Sequence, residues 1–128
     1  MAAGRSRLET LRTMLRRTDR QAAARLRERA AAFAALGDQT RLALVVKLSD
    51  RKAHSISKLT RGSRLTRQAI TKHLRVLEGV GMVRRAREGR ESLFEFNPRP
   101  VIGLKEYIDL VSGEWDQALG RLKQLVER

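Results

Sequence analysis

The chain has 128 residues, enough for one domain with a single hydrophobic core and too few for two. It contains 28 Lys and Arg against 14 Asp and Glu, a formal net charge of +14, and most of the basic residues are Arg. The lack of cysteine excludes disulfides, thiol nucleophiles and cysteine-ligated metal sites, and two histidines are too few for an all-histidine metal centre. No apolar run has the length of a membrane span. These features predict a cytoplasmic protein with no metal ion and no other cofactor.

The positive charge is concentrated in two stretches. Residues 1–30 contain 9 basic and 3 acidic residues, residues 51–92 contain 12 and 3, and the rest of the chain is close to neutral. This clustering favours a polyanion, most simply a nucleic acid, over a uniformly solvated basic surface. The few aromatic residues lie outside the basic helix predicted at residues 66–78, so this helix has no aromatic ring on which an unpaired base could stack. Duplex DNA is therefore favoured over RNA or single strands.

The first third of the chain has the apolar spacing of amphipathic helices. Apolar residues recur at helical spacing, three, four or seven positions apart, at Leu8, Leu11, Leu15, Ala22, Leu26, Phe33 and Leu36. Thr18 or Asp19 is a candidate N-cap, so the sequence predicts two successive helices, and Gly37 is expected to end the second.

Asp38 is well placed to N-cap a further helix, which we expect to be buried because Leu42–Leu48 is almost wholly apolar. The polar stretch that follows, up to Ser55, predicts a connection in which His54 is exposed to solvent. Ser57 is then a candidate N-cap for a brief helix, the first of a helix–turn–helix.

The second helix of this pair is predicted over residues 66–78. Ile70, Leu74 and Leu77 share one face, which we expect to be buried. The opposite face carries the side-chain types that read base edges in the major groove: Arg and Lys for guanine, Gln for adenine and Thr for the thymine methyl group. A solvated surface helix would share this pattern. The candidate DNA-reading residues are Arg64, Thr66, Arg67, Gln68, Thr71, Lys72 and Arg75.

Two β-prone runs, Met82–Arg87 and Ser92–Phe96, flank a turn that contains glycine and predict a hairpin. The arginines of this hairpin indicate the wing of a winged helix. Such a wing follows the phosphate backbone of DNA or enters the minor groove. The alternative is a charged edge that prevents strand pairing between molecules. The candidate wing residues are Arg84, Arg85, Arg87 and Arg90.

Asn97, Pro98 and Pro100 end the second strand and open a long final helix. Its apolar stripe, from Val101 to Leu125, is longer than the core of a small domain can cover. A second subunit is therefore expected to cover part of this stripe.

The segments Phe33–Leu42 (FAALGDQTRL), Leu65–Glu78 (LTRQAITKHLRVLE) and Gly81–Val83 (GMV) resemble the ArsR family of dimeric winged-helix repressors. The resemblance extends over residues 30–126 and implies that the reading helix and the wing contact DNA. It also implies a dimer interface built from the first and last helices, residues 20–36 and 101–126. The interface candidates are Leu26, Phe33, Leu104, Ile108, Val111, Trp115 and Leu122.

Metal-sensing members of that family use a cysteine pair at the start of the helix–turn–helix, or Asp and His pairs on the last helix. Here residues 56–60 read ISKLT and the last helix has no histidine, so no metal site is predicted. Trp115 makes the last helix more similar to the metal-independent branch. His73, in the family's His-Leu pair, is expected to be a packed, hydrogen-bonded residue. Tyr107 and Trp115 are expected to pack at the interface rather than line an effector pocket.

The predicted fold is mainly α with a β-hairpin wing, a dimeric winged helix–turn–helix, with a basic extension at residues 1–20 and the domain at 21–128. The predicted function is sequence-specific binding of double-stranded DNA by a homodimeric, nucleoid-associated transcriptional regulator, most simply a repressor of a pseudo-palindromic operator. Release of the regulator from DNA is expected to require an effector. Two alternatives stay open: an architectural DNA binder without strong sequence preference, and a protein-interaction module. No nucleophile–base set is present, so the chain is not expected to be an enzyme.

Overall fold

The computed structural model describes the backbone of residues 2–127 and the side chains of residues 7–127, so positions 1 and 128 of the predicted extension and domain lie outside it. Within the described residues the chain is mainly helical with one small sheet. The elements are α1 (Ala2–Leu36), α2 (Gln39–Leu48), β1 (His54–Ser55), α3 (Ile56–Thr60), α4 (Arg67–Gly79), β2 (Val83–Glu88), β3 (Glu91–Phe96) and α5 (Arg99–Val126). None of the described helices has an apolar stretch that could cross a membrane.

α1 is one continuous helix of 35 residues, which corrects the prediction of two helices. The Thr18 hydroxyl donates to the carbonyl of Met14 at 3.0 Å, so it is satisfied inside the helix and does not cap a new one. Alanine and arginine, both strong helix formers, dominate this stretch. As predicted, the helix ends before Gly37, whose N–H donates to the carbonyl of Ala34.

The chain divides between Ala31 and Ala32 into two compact units. The first unit holds most of α1, and every side chain described in it is at least partly exposed. The second unit holds the end of α1 and all the other elements, together with the hydrophobic core. The proposed boundary after residue 20 stays a prediction.

The core of the second unit is formed where α2, α3 and α4 pack against the sheet and the start of α5. α2 is less buried than predicted, because Leu42 and Val46 are exposed. The most deeply buried large side chains are Phe94, Leu48, Leu59, Ile70, Leu74, Leu77, Met82 and Val83. The predicted buried face of α4 is therefore confirmed.

β1 is an element that the sequence did not predict, and it adds a third strand to the hairpin by pairing with β3. His54 in this strand is 6% exposed, so the prediction of a solvent-exposed side chain is wrong. Its Nε2 donates to the Asp50 carboxylate at 2.8 Å, and this hydrogen bond lowers the pKa of Asp50. Ser55, not Ser57, caps α3, because its Oγ accepts from the N–H of Lys58.

The hairpin of β2 and β3 is confirmed, and its strands extend one residue further into the predicted turn, to the Glu88–Glu91 pair. Only two residues form the turn, Gly89 and Arg90. Gly89 has a φ of 64°, whereas Arg90 has no positive φ. A positive φ at the first central residue alone is the type II′ pattern, whose twist matches that of the flanking strands.

The start of α5 is tied to the end of α4. After α4 the chain turns at Gly81, where φ is 78°. The Asn97 side chain donates from Nδ2 to the Gly81 carbonyl at 2.9 Å, and its backbone N–H donates to the Met82 carbonyl at 2.8 Å. Pro98 then opens α5, as predicted. These hydrogen bonds join the chain just before β2 to the chain just after β3, at the base of the hairpin.

Candidate nucleic-acid interface

α4 is held at its first turn and along one face. Thr66 is its N-cap, as predicted, and its Oγ1 accepts a hydrogen bond from the N–H of Ala69 at 3.1 Å. Ile70, Leu74 and Leu77 lie in the core. Because this face is buried, the opposite face of the same helix is directed to solvent.

The seven predicted reading residues remain accessible, and all but Thr71, which is half-buried, are exposed. The Thr71 hydroxyl donates to the Arg67 carbonyl at 2.7 Å, and the Thr66 hydroxyl caps the helix. Both hydroxyl groups are therefore already hydrogen-bonded to the backbone of α4. The longer Arg, Gln and Lys side chains of this set are exposed to solvent. Their contact with DNA stays a prediction.

Lys58 and Arg61 were not predicted as site residues, and both are exposed at α3, the first helix of the helix–turn–helix. In this motif the first helix crosses the phosphate backbone. A signal for them was present in the sequence: between Arg51 and Leu77 there are 8 basic residues and no acidic residue. Such a run predicts a continuous positive surface around the reading helix.

Arg85 differs from the other wing arginines because it is engaged within the chain. Its Nε lies 3.5 Å from Oε2 of Glu78 on α4, and its guanidinium lies 5.3 Å from the centroid of the Phe94 ring. Charge attraction and the cation–π contact both hold this side chain against the domain. Arg85 therefore joins the wing to α4 and is the least available of the four for a phosphate group.

The remaining wing arginines, Arg84, Arg87 and Arg90, are exposed. Arg84 lies directly opposite Glu95 across the strands, which offsets part of its charge. Arg90 occupies the turn and Arg87 lies opposite Ser92, away from acidic cross-strand partners. Arg87 and Arg90 are thus the wing arginines with the fewest contacts inside the chain, and the Glu88–Glu91 pair beside them brings the formal charge of residues 87–91 to zero.

A polar cluster links the end of α1 to α2 and α4 within the second unit. Arg41 donates from Nε to the Ala35 carbonyl at 2.7 Å, and its guanidinium lies 3.3 Å from Nδ1 of His73. Asp38 accepts from the N–H of Arg41 at 3.0 Å, and this hydrogen bond holds the pKa of Asp38 below its ordinary value. His73 is therefore a packed, hydrogen-bonded residue, as predicted, and the cluster helps to orient α4.

The apolar stripe of α5 is buried at its start and accessible further along. Leu104 is 4% exposed and belongs to the core, so its assignment to a dimer interface is corrected: a single chain already covers it. Ile108, Trp115 and Leu122 are exposed, Trp115 at 64%, and Val111 is half-buried. The accessible part of the stripe is the part that a second molecule could cover.

The predicted interface residues of α1, Leu26 and Phe33, are also exposed. The ring of Phe33 lies 6.3 Å from the ring of Tyr107, tilted by 55°, which is a packing contact between the end of α1 and α5. Among the described residues no group of three or more His, Cys, Asp or Glu side chains is arranged to hold a metal ion.

Three comparisons identify proteins to which this chain is similar. The MarR family model matches residues 38–89, from the cap of α2 to the hairpin turn. YuzN of Bacillus subtilis (strain 168), an uncharacterized HTH-type transcriptional regulator, is 40% identical over 80 residues, which are 58% of this chain and 87% of YuzN.

Among solved structures, an ArsR-like transcriptional regulator from Rhodococcus sp. RHA1 is 32% identical, with a TM-score of 0.71 over 80% of this chain and 95% of its own. The homodimeric winged helix–turn–helix DNA-binding domain of Mb0332 from Mycobacterium bovis has the same fold, at 22% identity and a TM-score of 0.58 over 72% of this chain and 84% of its own. The family model and these structures differ in the family name but agree on the architecture and on its role in transcription. This chain therefore belongs to the winged helix–turn–helix transcriptional regulators.

Proposed function

We propose that this regulator is a homodimeric repressor of the ArsR type, from the branch that does not sense metals, and that it binds a pseudo-palindromic operator. The observation that carries the proposal is α4, which buries Ile70, Leu74 and Leu77 and presents a polar, basic face to solvent beside an arginine-rich hairpin. A helix of this kind fits the major groove of duplex DNA. The lack of cysteine and of histidine on α5 supports the metal-independent branch.

In the proposed complex, Arg67, Gln68 and Lys72 read base edges in the major groove, where Arg and Lys recognise guanine and Gln recognises adenine. Arg87 and Arg90 neutralise phosphates beside the site, and Lys58 and Arg61 do the same from α3. Phosphate contacts give affinity without sequence preference, whereas the base contacts discriminate between sequences. The regulator thus needs both surfaces to find one operator on the chromosome, where we expect it to reside as part of the nucleoid.

Two copies joined through α5 would place two α4 helices in successive major grooves, with half-sites about 34 Å apart or a multiple of that spacing. Occupancy of the operator would block RNA polymerase. Release requires an effector that prefers a dimer geometry in which the two reading helices no longer match the groove spacing.

Competition binding tests this function. A labelled fragment from the region upstream of the gene is titrated with the protein in the presence of random-sequence DNA at fixed, moderate salt. A regulator should prefer its operator by about a thousandfold or more. Equal affinity for all duplexes would support the architectural alternative, and absence of DNA binding would support the protein-interaction module. Footprinting on the preferred fragment should then show two protected half-sites.

The wing makes a separate prediction. Replacing Arg90 with alanine should weaken binding to all duplexes alike and make binding less dependent on salt, because one phosphate contact per subunit is lost. Across a titration from low to high salt, the slope of log K against log salt should decrease in magnitude by about 2 for a dimer. Arg85→Ala is the comparison within the same hairpin, and its effect on the slope should be smaller because Arg85 pairs with Glu78. An unchanged slope for Arg90→Ala would contradict the wing assignment.

The dimer interface is tested with two substitutions on α5. Ile108 lies on the apolar stripe, whereas Leu110, an equally large apolar and exposed residue, lies on the opposite face of the helix. Ile108→Glu should weaken dimerisation at least about 100-fold, because the contact would bury an unpaired charge. Leu110→Glu should leave the dimer intact. Sedimentation of both variants over a concentration series measures this, and equal behaviour of the two would place the interface elsewhere.

A further inference from the structure

The part of α1 in the first unit carries an apolar seam that runs along one face of the helix. Leu8, Leu11, Leu15, Thr18 and Ala22 follow the alternating three- and four-residue spacing of a coiled coil, at positions a and d of two heptads. The three leucines of this α1 seam are each more than half exposed. A seam of this kind is the surface with which one helix packs against another.

The charged residues beside the seam select the partner and its direction. Arg7 and Glu28 occupy g positions of the heptads, and Arg12 and Asp19 occupy e positions. In an antiparallel pair of identical helices, e positions face e positions and g positions face g positions. With Leu11 of one copy opposite Ala22 of the other, Arg12 faces Asp19 of the second copy, and Arg7 faces Glu28 of the second copy.

Symmetry makes each of these oppositely charged pairs occur twice. A parallel pair would instead place g beside e, so that Arg7 would face Arg12 of the second copy. It would also bring the two Arg25 side chains together at a d position, whereas in the antiparallel register each Arg25 lies opposite Leu8 of the other copy. Among the described residues neither Arg12 nor Asp19 has an ion-pair partner within its own chain. Charge complementarity therefore favours a second copy of this chain in antiparallel orientation.

We propose that the α1 seam binds the α1 seam of a second copy as a short antiparallel coiled coil. This inference rests on the proposed homodimer and extends its interface along the basic N-terminal helix. Two heptads are too short to be stable in isolation, so the coil adds to the α5 contact and does not replace it. Because the arginines Arg16, Arg20 and Arg27 lie on the face opposite the seam, pairing leaves them exposed.

A charge-swap series tests the pairing in the full chain. Arg12→Glu should face Asp19 of the second copy with a like charge, Asp19→Arg should face Arg12, and each should weaken dimerisation by about tenfold, since two pairs are lost per dimer. The double variant restores opposite charges and should recover the dimerisation constant of the original chain to within about threefold. Failure of the double variant to recover, or no effect of either single change, would overturn the proposal. Sedimentation equilibrium gives the constants.

Cysteine cross-linking tests direction and register, and the chain is suited to it because it has no cysteine of its own. Mixed under mild oxidation, Leu11→Cys and Ala22→Cys chains should form a disulfide between the two variants. Leu11→Cys alone should not, since its two copies would be roughly 16 Å apart along the axis. A rapid disulfide of Leu11→Cys with itself would indicate a parallel pair and overturn the proposal.

The coiled coil and the proposed function can be disproved separately. A dimer that Ile108→Glu disrupts, but in which the mixed cysteine variants do not cross-link, overturns the coiled coil and leaves the proposed function intact. A chain that sediments as a monomer at all concentrations overturns both.

Discussion

Replacing Arg67 and Gln68 together with alanine is expected to reduce the preference of this protein for its operator over random DNA by about 100-fold or more. Each well-formed contact of such a side chain with a base edge contributes about 1–3 kcal/mol of discrimination. Non-specific affinity should fall much less, because the phosphate contacts proposed for the wing and α3 are left unchanged. The measurement is the ratio of dissociation constants for operator and random duplexes at one salt concentration, for the variant and the original chain.

The stability of the fold should not change in this double variant, because both side chains are exposed and alanine is the best helix former. Arg121→Ala on α5 is the matched control, since it removes an exposed positive charge away from α4. Arg121→Ala should leave the operator preference unchanged. If Arg67, Gln68 and Thr71 could all become alanine with full preference retained, the reading face would lie elsewhere on the domain.

The largest expected loss of stability is that of Leu74→Ala. Leu74 is 0% exposed and lies on the buried face of α4, between Ile70 and Leu77. Truncation of a fully buried leucine leaves a cavity and typically lowers the free energy of unfolding by about 2–5 kcal/mol. Chemical denaturation at a fixed protein concentration measures the loss. Operator binding should decline in parallel, because the same residue holds the reading helix against the core.

Val76→Ala in the same helix is the control for this prediction. Val76 is 43% exposed, so its truncation removes little buried surface, and the free energy of unfolding should change by less than about 1 kcal/mol. A similar loss of stability for both variants would contradict the core position of Leu74. A destabilised Leu74→Ala chain that still binds its operator with full affinity would show that the core does not position α4.

The Arg67 and Gln68 double variant tests the exposed face of α4, and Leu74→Ala tests its buried face. The buried face holds α4 against the core, and in our proposal the exposed face reads the DNA sequence. Arg85 and the cluster of Arg41, Asp38 and His73 add polar contacts to that arrangement, because they join α4 to the wing, to α2 and to the end of α1. Precise positioning of a reading helix by such contacts is what converts general affinity for DNA into recognition of one sequence.

Features governed by neighbours in the chain were predictable from the sequence. The buried face of α4, its Thr66 cap, the Asp38 cap of α2, the hairpin and the proline start of α5 each follow from the side chains of a few adjacent positions. The amphipathic spacing and the basic clusters likewise identified the candidate surface for DNA. In these cases the physical cause, a capping hydrogen bond, a helical period or a restricted φ, is local.

Features governed by distant contacts were decided only by the tertiary structure. His54 is buried because its strand pairs with β3, some 40 positions later in the chain, and Leu104 belongs to the core because α5 packs there with its first turns. Arg85 is the same residue type as Arg84 and Arg87, but only the structure shows its ion pair with Glu78 and its cation–π contact with Phe94. The periodicity of apolar residues in the sequence predicts which face of a helix or strand is apolar. Which residues cover that face depends on how the helices and strands pack in the tertiary structure. For the exposed stripes of α1 and α5, the covering surface belongs to a second molecule in our proposal.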